Sequence, residues 1–342
     1  MRLSWSFLLL CAACGAATSS EPMQEDHSDA VVQEDKDLQP LDGRAIVCYN
    51  VENLFDTQDD PAINDADFLP TGALAWDNER YRTKLDQLSE AIHWSAAGEP
   101  ALIGLVEVEN RKVVEELAAT GGLKKASYVV VHHDSPDERG IDVALLVHPE
   151  FAEVAAEEPL NVPLVDDRTR DVLYVRLDLA RKGKLHVFVN HWPSRRDGDT
   201  SIPKRMAAAK VVRDRLDALL KEDPEARILI MGDFNDSPAD ASIQQGLGAA
   251  CDAVSKATLF DLMCMGQPEG HGSYNYQGEW SYLDQFIVSA ALLPLVDDAK
   301  AFWDDRLLFR HPRYGKSPDK TYAGRDYKGG YSDHLPIVLR LK

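Results

Sequence analysis

R-I-L-I-M-G-D-F-N-D-S-P, residues 227–238, is the stretch on which the fold turns. The apolar run between Arg227 and Gly232 reads as a short buried strand, and Gly232 predicts a sharp backbone turn at its end. Asp233 and Asn235 follow one residue apart. A carboxylate and an amide then point into one crevice at a sheet edge, where layered α/β proteins bind ligands. Asp, Asn, Ser and Pro are also ordinary turn formers, so this stretch alone does not separate a site from a polar turn.

The same pattern recurs along the chain. Apolar runs at residues 45–49, 102–106 and 185–190 read as strands that end at Asn50, Glu107 and His191. Asp284 stands near the start of a strand over residues 283–288, and Asp333 and His334 precede the last strand, residues 336–341. Asp142 opens a V-A-L-L-V strand and reaches the same rim if that strand runs antiparallel to its neighbours. Residues 128–131 and 172–179 complete the strands. Apolar residues at helical spacing predict helices over residues 76–94, 113–119 and 204–220, with a helical stretch near 239–248. The Lys and Arg of residues 204–220 read as a solvated face. His132 and His133 are adjacent on a strand and point to opposite faces, which favours a structural role. The Asp-rich residues 56–67 lack the glycine and terminal Glu of a calcium-binding hand and read as a solvated loop.

No Pro/Gly/Ser-rich break follows residue 43 in the 342-residue chain, which favours one catalytic-sized domain over residues 43–342. A formal net charge of -20 argues against a broad nucleic-acid-binding surface and still leaves room for a local basic patch. Such a patch lies at residues 306–328, where seven Lys/Arg face two Asp and are interleaved with Phe309, Tyr314, Tyr322 and Tyr327. Aromatics among cations stack on bases and hold phosphates, so this segment is a candidate substrate clamp; packing of the tyrosines is the alternative.

The N-terminus has Arg2, an apolar run and then small residues, the layout of an export signal over residues 1–18, too short to span a membrane. Cys14 between Ala13 and Gly15 resembles a lipoprotein-processing cysteine, with cleavage near Ala17 to a soluble product as the alternative. Residues 19–42 are acidic and poor in apolar side chains, and read as a disordered tether. Cys48 lies inside an apolar strand and reads as packing. Cys251 and Cys264 are close in sequence, and a bridge between them is plausible in an exported protein; sequence alone does not settle it. Beyond the export signal no C-x-x-C zinc spacing occurs.

Carboxylates and amides at successive strand ends are hard oxygen donors. They suit Mg²⁺, with Mn²⁺ as the alternative ion, and nearby histidines can move protons or stabilise charge. Metal-assisted phosphoester hydrolysis is the natural reaction for such a set. N-V-E-N at 50–53, V-E-V-E-N at 106–110, N-H-W-P-S at 190–194, G-D-F-N-D at 232–236, Y-L-D-Q-F-I-V-S at 282–289 and S-D-H-L-P at 332–336 resemble, in order, the motifs of the endonuclease/exonuclease/phosphatase superfamily. The resemblance covers residues 45–342 and implies a four-layer α/β/β/α sandwich of two packed, mostly antiparallel sheets flanked by helices. It also implies Mg²⁺-dependent cleavage of phosphodiesters or phosphomonoesters.

Carried over by motif, Glu107 is expected as the principal metal ligand with Asn50 and Asp333, and Glu52 is a weaker candidate. The resemblance makes His334, held by Asp284, the general base or the electrostatic stabiliser. It makes Asp233, steered by Asn235, the group that orients or deprotonates the attacking water. His191 is expected to polarise a phosphate oxygen or protonate the leaving group, with Asp142 orienting it. Arg195, Arg325 and Tyr331 are the expected substrate-binding residues. The expected partner is a phosphodiester, foremost nucleic acid. An inositol phosphate or sphingomyelin-like headgroup is the enzymatic alternative, and a surface binding module on the same scaffold is the non-enzymatic one.

Overall fold

The computed structural model describes residues 43–342 apart from 166, 181–182, 253–255 and 266. The expected export signal with Cys14, and the acidic tether, lie outside the described residues. In chain order the elements are β1 (Ala45–Leu54), α1 (Asn78–Ala96), β2 (Leu102–Val108), α2 (Arg111–Ala118), β3 (Val129–His132), β4 (Asp142–Val147), β5 (Ala152–Leu160), β6 (Val172–Leu179) and β7 (Lys184–His191). There follow α3 (Ile202–Glu222), β8 (Ile228–Asp233), a π-helical turn (Ser242–Leu247), β9 (Ala249–Ala250), β10 (Leu259–Asp261), β11 (Tyr274–Tyr276), β12 (Glu279–Ser281) and β13 (Asp284–Ser289). The last are β14 (Val296–Ala301), β15 (Leu308–His311), β16 (Gly315–Pro318), β17 (Tyr322–Ala323), β18 (Asp326–Tyr327) and β19 (Ile337–Leu341).

Two large sheets carry the molecule. One has the order β14-β19-β1-β2-β4-β3 and the other β5-β6-β7-β8-β13-β10-β9. Pairing is mostly antiparallel, with parallel neighbours at β1/β2, β7/β8 and β9/β10. The sheets face each other through β1 and β2 against β8, and through β2 and β4 against β7. The outer face of the first sheet packs on α1 and α2 through Val47, Tyr49, Leu88, Ile92, Val113 and Leu117. The outer face of the second packs on α3 through Phe188, Ile230, Ala209, Val212 and Leu216. The layers are therefore α/β/β/α, as expected. Apolar stripes on helices and doubly buried strands leave no other way to remove both faces of both sheets from water.

The contact between sheets is close. A Cβ on Gly104 would come within 2.8 Å of Met231 Cε and 3.5 Å of Cys48 Sγ, so the free thiol of Cys48 is packing, as expected. Gly232 does something other than turn the chain. It lies inside β8 at φ +140°, and a Cβ there would sit 2.0 Å from the Asn190 carbonyl oxygen of the neighbouring strand. Only glycine lets β7 and β8 approach at that level.

Helix ends follow from local side chains. Asp77 caps α1 by accepting from the Glu79 and Arg80 amides, and Asn110, directly after the Glu107 motif, caps α2 by accepting from Val113 N–H. Two long strands are among those that escape sequence reading. β5 is an Ala/Glu run with one exposed face, a bulge and Pro159, and β14 is charged and half-exposed; both are edge strands, where such residues suppress pairing with other chains. Residues 306–328, the candidate substrate clamp, form two hairpins, β15/β16 and β17/β18. Cys251 and Cys264 are joined by a disulfide.

Candidate active site

Strand alternation places the site. On β1, Val47, Tyr49 and Val51 belong to the helix-side core, so Cys48 and Asn50 face the other sheet. On β8, Ile228 and Ile230 are helix-side, so Met231 and Asp233 face inward; the same parity turns Asp284 inward on β13 and His191 inward on β7. β2 breaks its alternation. Ile103 and Leu105 are helix-side and so is Val108, which requires one extra residue, and the register with β4 shifts there. The extra residue is Glu107, at φ 68°, and the bulge turns its carboxylate off the core face. Glu52, Asn53 and Asn235 share positive φ, so four non-glycine residues of the rim are strained.

The inward groups meet. His334 Nδ1 donates to Asp284 Oδ2 at 2.6 Å, and His334 Nε2 lies 3.9 Å from Asp233 Oδ2. His191 Nε2 lies 3.9 Å from the same Asp233 oxygen and 3.7 Å from Glu107 Oε1. Asn50 Nδ2 donates to Asp233 Oδ2 at 3.1 Å, and the amide of Asn235 donates to Asp233 Oδ1 at 2.8 Å. Glu107 Oε2 accepts from Asn53 N–H, while its side chain keeps 16% exposure. The charge of Glu107 also acts on Asp333, beside His334. Six sequence-predicted residues from both sheets, with Asn235 and Asp333 at their edge, thus form one cluster.

Their protonation is driven apart. Burial pushes the Asp233 carboxyl up to about 7, with Asp284 and Glu107 adding to the rise and His334 opposing it. Burial would also strip the proton from His334, but the charge and hydrogen bond of Asp284, with Asp233 and Asp333, outweigh it and hold the imidazolium well above the usual histidine range. His191 goes the other way. Burial, with Arg170, Arg139 and His334 around it, keeps its ring neutral well below that range. Two imidazoles in opposite charge states beside one carboxyl are the mark of an acid–base site.

Some expected residues are placed elsewhere. Asp142 does not orient His191: its Oδ1 accepts from Ser135 N–H and Oγ–H, and its Oδ2 faces His132 Nε2 at 3.2 Å, while His191 Nδ1 has no hydrogen-bond partner. His132 thus has a structural role in a buried pair. Glu52 accepts from the Thr321 and Tyr322 amides with its two oxygens, and so anchors residues 321–322. Arg195 reaches the Asn235 carbonyl, Asp236 and Asp240, bracing the loop that carries Asn235. Tyr331 packs on Trp94 of α1, and Arg325 is exposed at the tip of β17/β18, whose Tyr322 and Tyr327 pack against Trp76 and Arg80. Packing therefore claims the second half of residues 306–328. Arg205 of α3 is buried against Asp236, not on a solvated face.

Other groups at the site were not assigned from the sequence. Arg170, from an unremarkable R-T-R loop, is buried and donates to the carbonyls of His191 and Trp192 while pairing with Asp137. Ser332 donates to the Asn50 carbonyl and accepts from His334 N–H, tying β1 to the His334 segment. Its signal was its place in S-D-H-L-P. Lys84 of α1 is buried and donates to Thr321 Oγ1 and the Tyr331 carbonyl, both at 2.6 Å.

The donors near Glu107 fit a hard divalent ion. The free Glu107 oxygen, the Asn50 amide oxygen and Asp333 are all oxygen ligands, and no cysteine joins them. Asp233, Asp284 and His334 also offer ligand atoms within 4.8 Å of one another.

A fold of two facing sheets with an acidic, two-histidine rim defines a class of phosphoester-cleaving enzymes. Residues 45–342 match the Endonuclease/Exonuclease/phosphatase family, and the chain belongs to it. Among solved structures, a Bacteroides thetaiotaomicron mannosyl-6-phosphatase aligns with TM-score 0.57 and 14% identity over 87% of this chain and 99% of that one. D. rerio TDP2 humanized by 14 mutations aligns with TM-score 0.55 and 17% identity over 87% and 98% of the two chains. D. rerio TDP2 complexed with single-strand DNA product aligns with TM-score 0.54 and 16% identity over 88% and 99%. At these identities the likeness is one of fold. Comparison with curated protein sequences gives no significant match.

Proposed function

We propose that the protein is an exported, divalent-metal-dependent phosphodiesterase whose substrate is nucleic acid. The observation that carries the hydrolytic reading is the convergence of Glu107, His191, Asp233 and the Asp284–His334 pair from two sheets onto one rim. Glu107 and Asn50, with Asp333, would hold Mg²⁺ or Mn²⁺, which when bound supplies charge neutralisation at the phosphate.

The remaining chemistry belongs to the chain. Asp233, held by Asn235 N–H and Asn50 Nδ2, accepts a proton from the attacking water. The His334 imidazolium, fixed by Asp284, donates to a phosphate oxygen as charge develops there. As the water oxygen bonds to phosphorus the opposite P–O bond breaks, and His191, neutral and aimed by Arg170 through its backbone, donates from one ring nitrogen to the departing oxygen. The Cys251–Cys264 disulfide supports the export reading, since such bonds persist in oxidising compartments. Lipidation at Cys14 would tether the domain to a membrane surface.

Incubating the full chain with single-stranded DNA, RNA, bis-nitrophenyl phosphate and sphingomyelin, with Mg²⁺ and with EDTA, tests the reading. Cleavage of oligonucleotides in Mg²⁺ and none in EDTA is expected. Turnover of sphingomyelin alone would move the substrate to lipid, and no metal-dependent turnover of any would leave a binding module.

A further inference from the structure

Beside the catalytic cluster the hairpins β11/β12 and β15/β16 enclose a cleft of roughly 670 Å³ that reaches Asp333. Its wall is aromatic. Phe309, His311 and Tyr314 form a ladder along β15/β16, with ring centroids 6.5 and 4.7 Å apart, and Tyr274 and Tyr276 face it from β11. Phe309 and Tyr276 keep 49% and 64% exposure, which no packing role explains. Tyr274 also lies against the His334 ring at 4.8 Å, so the wall continues into the catalytic cluster.

We propose that this cleft is a base-binding subsite, in which the nucleobase next to the scissile phosphate stacks on the Tyr276/Phe309/Tyr314 wall. The inference rests on the phosphodiesterase reading above and specifies its substrate. The exposed rings of Tyr276 and Phe309 suit a planar aromatic ligand, while Tyr314 is stacked on His311 and met by the Arg313 guanidinium; Gln277 beside them offers an amide for the ligand's edge. Lys320 and Lys328 line the same cleft, where a phosphate could be met. Among the described residues no leucine, isoleucine, valine or methionine lines it, so these supply no long aliphatic surface for an acyl chain. The acidic body does not oppose this, because stacking is local and needs no broad cationic field.

The far end of the rim supports a chain-like substrate. Sheet order puts β19 and β13 at the aromatic end, β1, β2 and β8 at the cluster, and β4, β7 and β6 beyond it. The loops beside these last strands form a second cleft of about 220 Å³ that contains Arg139, Arg168 and Arg196 together with Asp137, Asp167 and Asp197, the last two paired with Lys204. The aromatic cleft, the catalytic cluster and this arginine-bearing cleft then lie in series along one edge.

The test is the full-length Tyr276→Ala/Phe309→Ala variant, whose exposed side chains carry little risk to folding. Calorimetry in EDTA compares binding of deoxyadenosine monophosphate with deoxyribose 5-phosphate, which lacks the base. Wild type should favour the nucleotide by about tenfold or more, and the variant should bind the two alike. On a single-stranded oligonucleotide in Mg²⁺ the variant should raise KM by roughly 10- to 100-fold with kcat little changed. Equal binding of the two ligands by wild type, or preference retained in the variant, would overturn the proposal. So would variant-sensitive binding of phosphatidylcholine vesicles without nucleotide preference. Nucleotide preference in a protein that hydrolyses no phosphoester would support the subsite while refuting the hydrolytic reading.

Discussion

At the scale of single residues, the Asp284–His334 pair sets the charge on which the proposed reaction depends. Asp284 is fully buried and its other oxygen, Oδ1, has no hydrogen-bond partner, so the imidazolium at 2.6 Å is its one hydrogen-bonded counterion. Replacing it with Asn keeps the shape and removes the charge. The His334 proton is then lost at a lower pH, because the partner that raised its affinity is gone and burial now dominates. Asp284→Asn is expected to lower kcat by about 10²-fold or more and to move the alkaline limb of the pH–rate profile toward acid. An unmoved limb would separate His334 from the rate. Arg170 makes a second case: Arg170→Met should loosen the His191 backbone and reduce kcat more than it raises KM, read from steady-state kinetics on an oligonucleotide.

At the scale of elements, the sites that reached the crevice did so by strand parity, which is why they were legible. Asn50, His191 and Asp233 each follow, and Asp284 opens, an apolar run whose alternate residues fill a core, so sequence alone gives the face. Glu107 was legible by motif and not by parity, since a one-residue bulge reverses its face. Asp142 shows the converse. It stands at a strand start like the others, yet Ser135 and His132, brought close by the turn between β3 and β4, take its carboxylate. Arg170, Ser332 and Lys84 act through backbone carbonyls contributed by distant segments, and no periodicity encodes such contacts.

One buried acid outside the crevice gives an element-scale prediction. Asp261 ends β10, is fully buried, and burial pushes its carboxyl up to about 7. An acid whose folded pKa lies above its unfolded value holds its proton longer when folded. Its contribution is therefore full below about pH 4 and falls as pH rises toward 7, levelling off above. Asp261→Asn should flatten that decline and stabilise the protein near neutral pH by on the order of a few kcal/mol, as read by urea unfolding at pH 4, 6 and 8. A variant with unchanged pH dependence would show that Asp261 does not carry it.

At the scale of the whole molecule, the two sheets and the α/β/β/α layering follow from doubly buried strands and one-sided helices, and this much was readable. The edge strands β5 and β14 were not, because edges are selected for charge and exposure, which hide the strand signal. The Cys251–Cys264 bridge closes a short loop, and Cys251→Ser/Cys264→Ser is expected to cost about 3 kcal/mol, seen as a lower Tm. A Tm unchanged by the substitutions and by reductant would remove the bridge from the stability of the fold.

Turnover of bis-nitrophenyl phosphate by the full chain and by Glu107→Gln, Asp233→Asn and the double variant tests the joint site most directly, since the first residue comes from one sheet and the second from the other. One site predicts that each single change lowers kcat by about 10²-fold or more and that the double variant is little worse than the poorer single. Near-normal turnover in either single variant, with each protein folded and metal present, would contradict it.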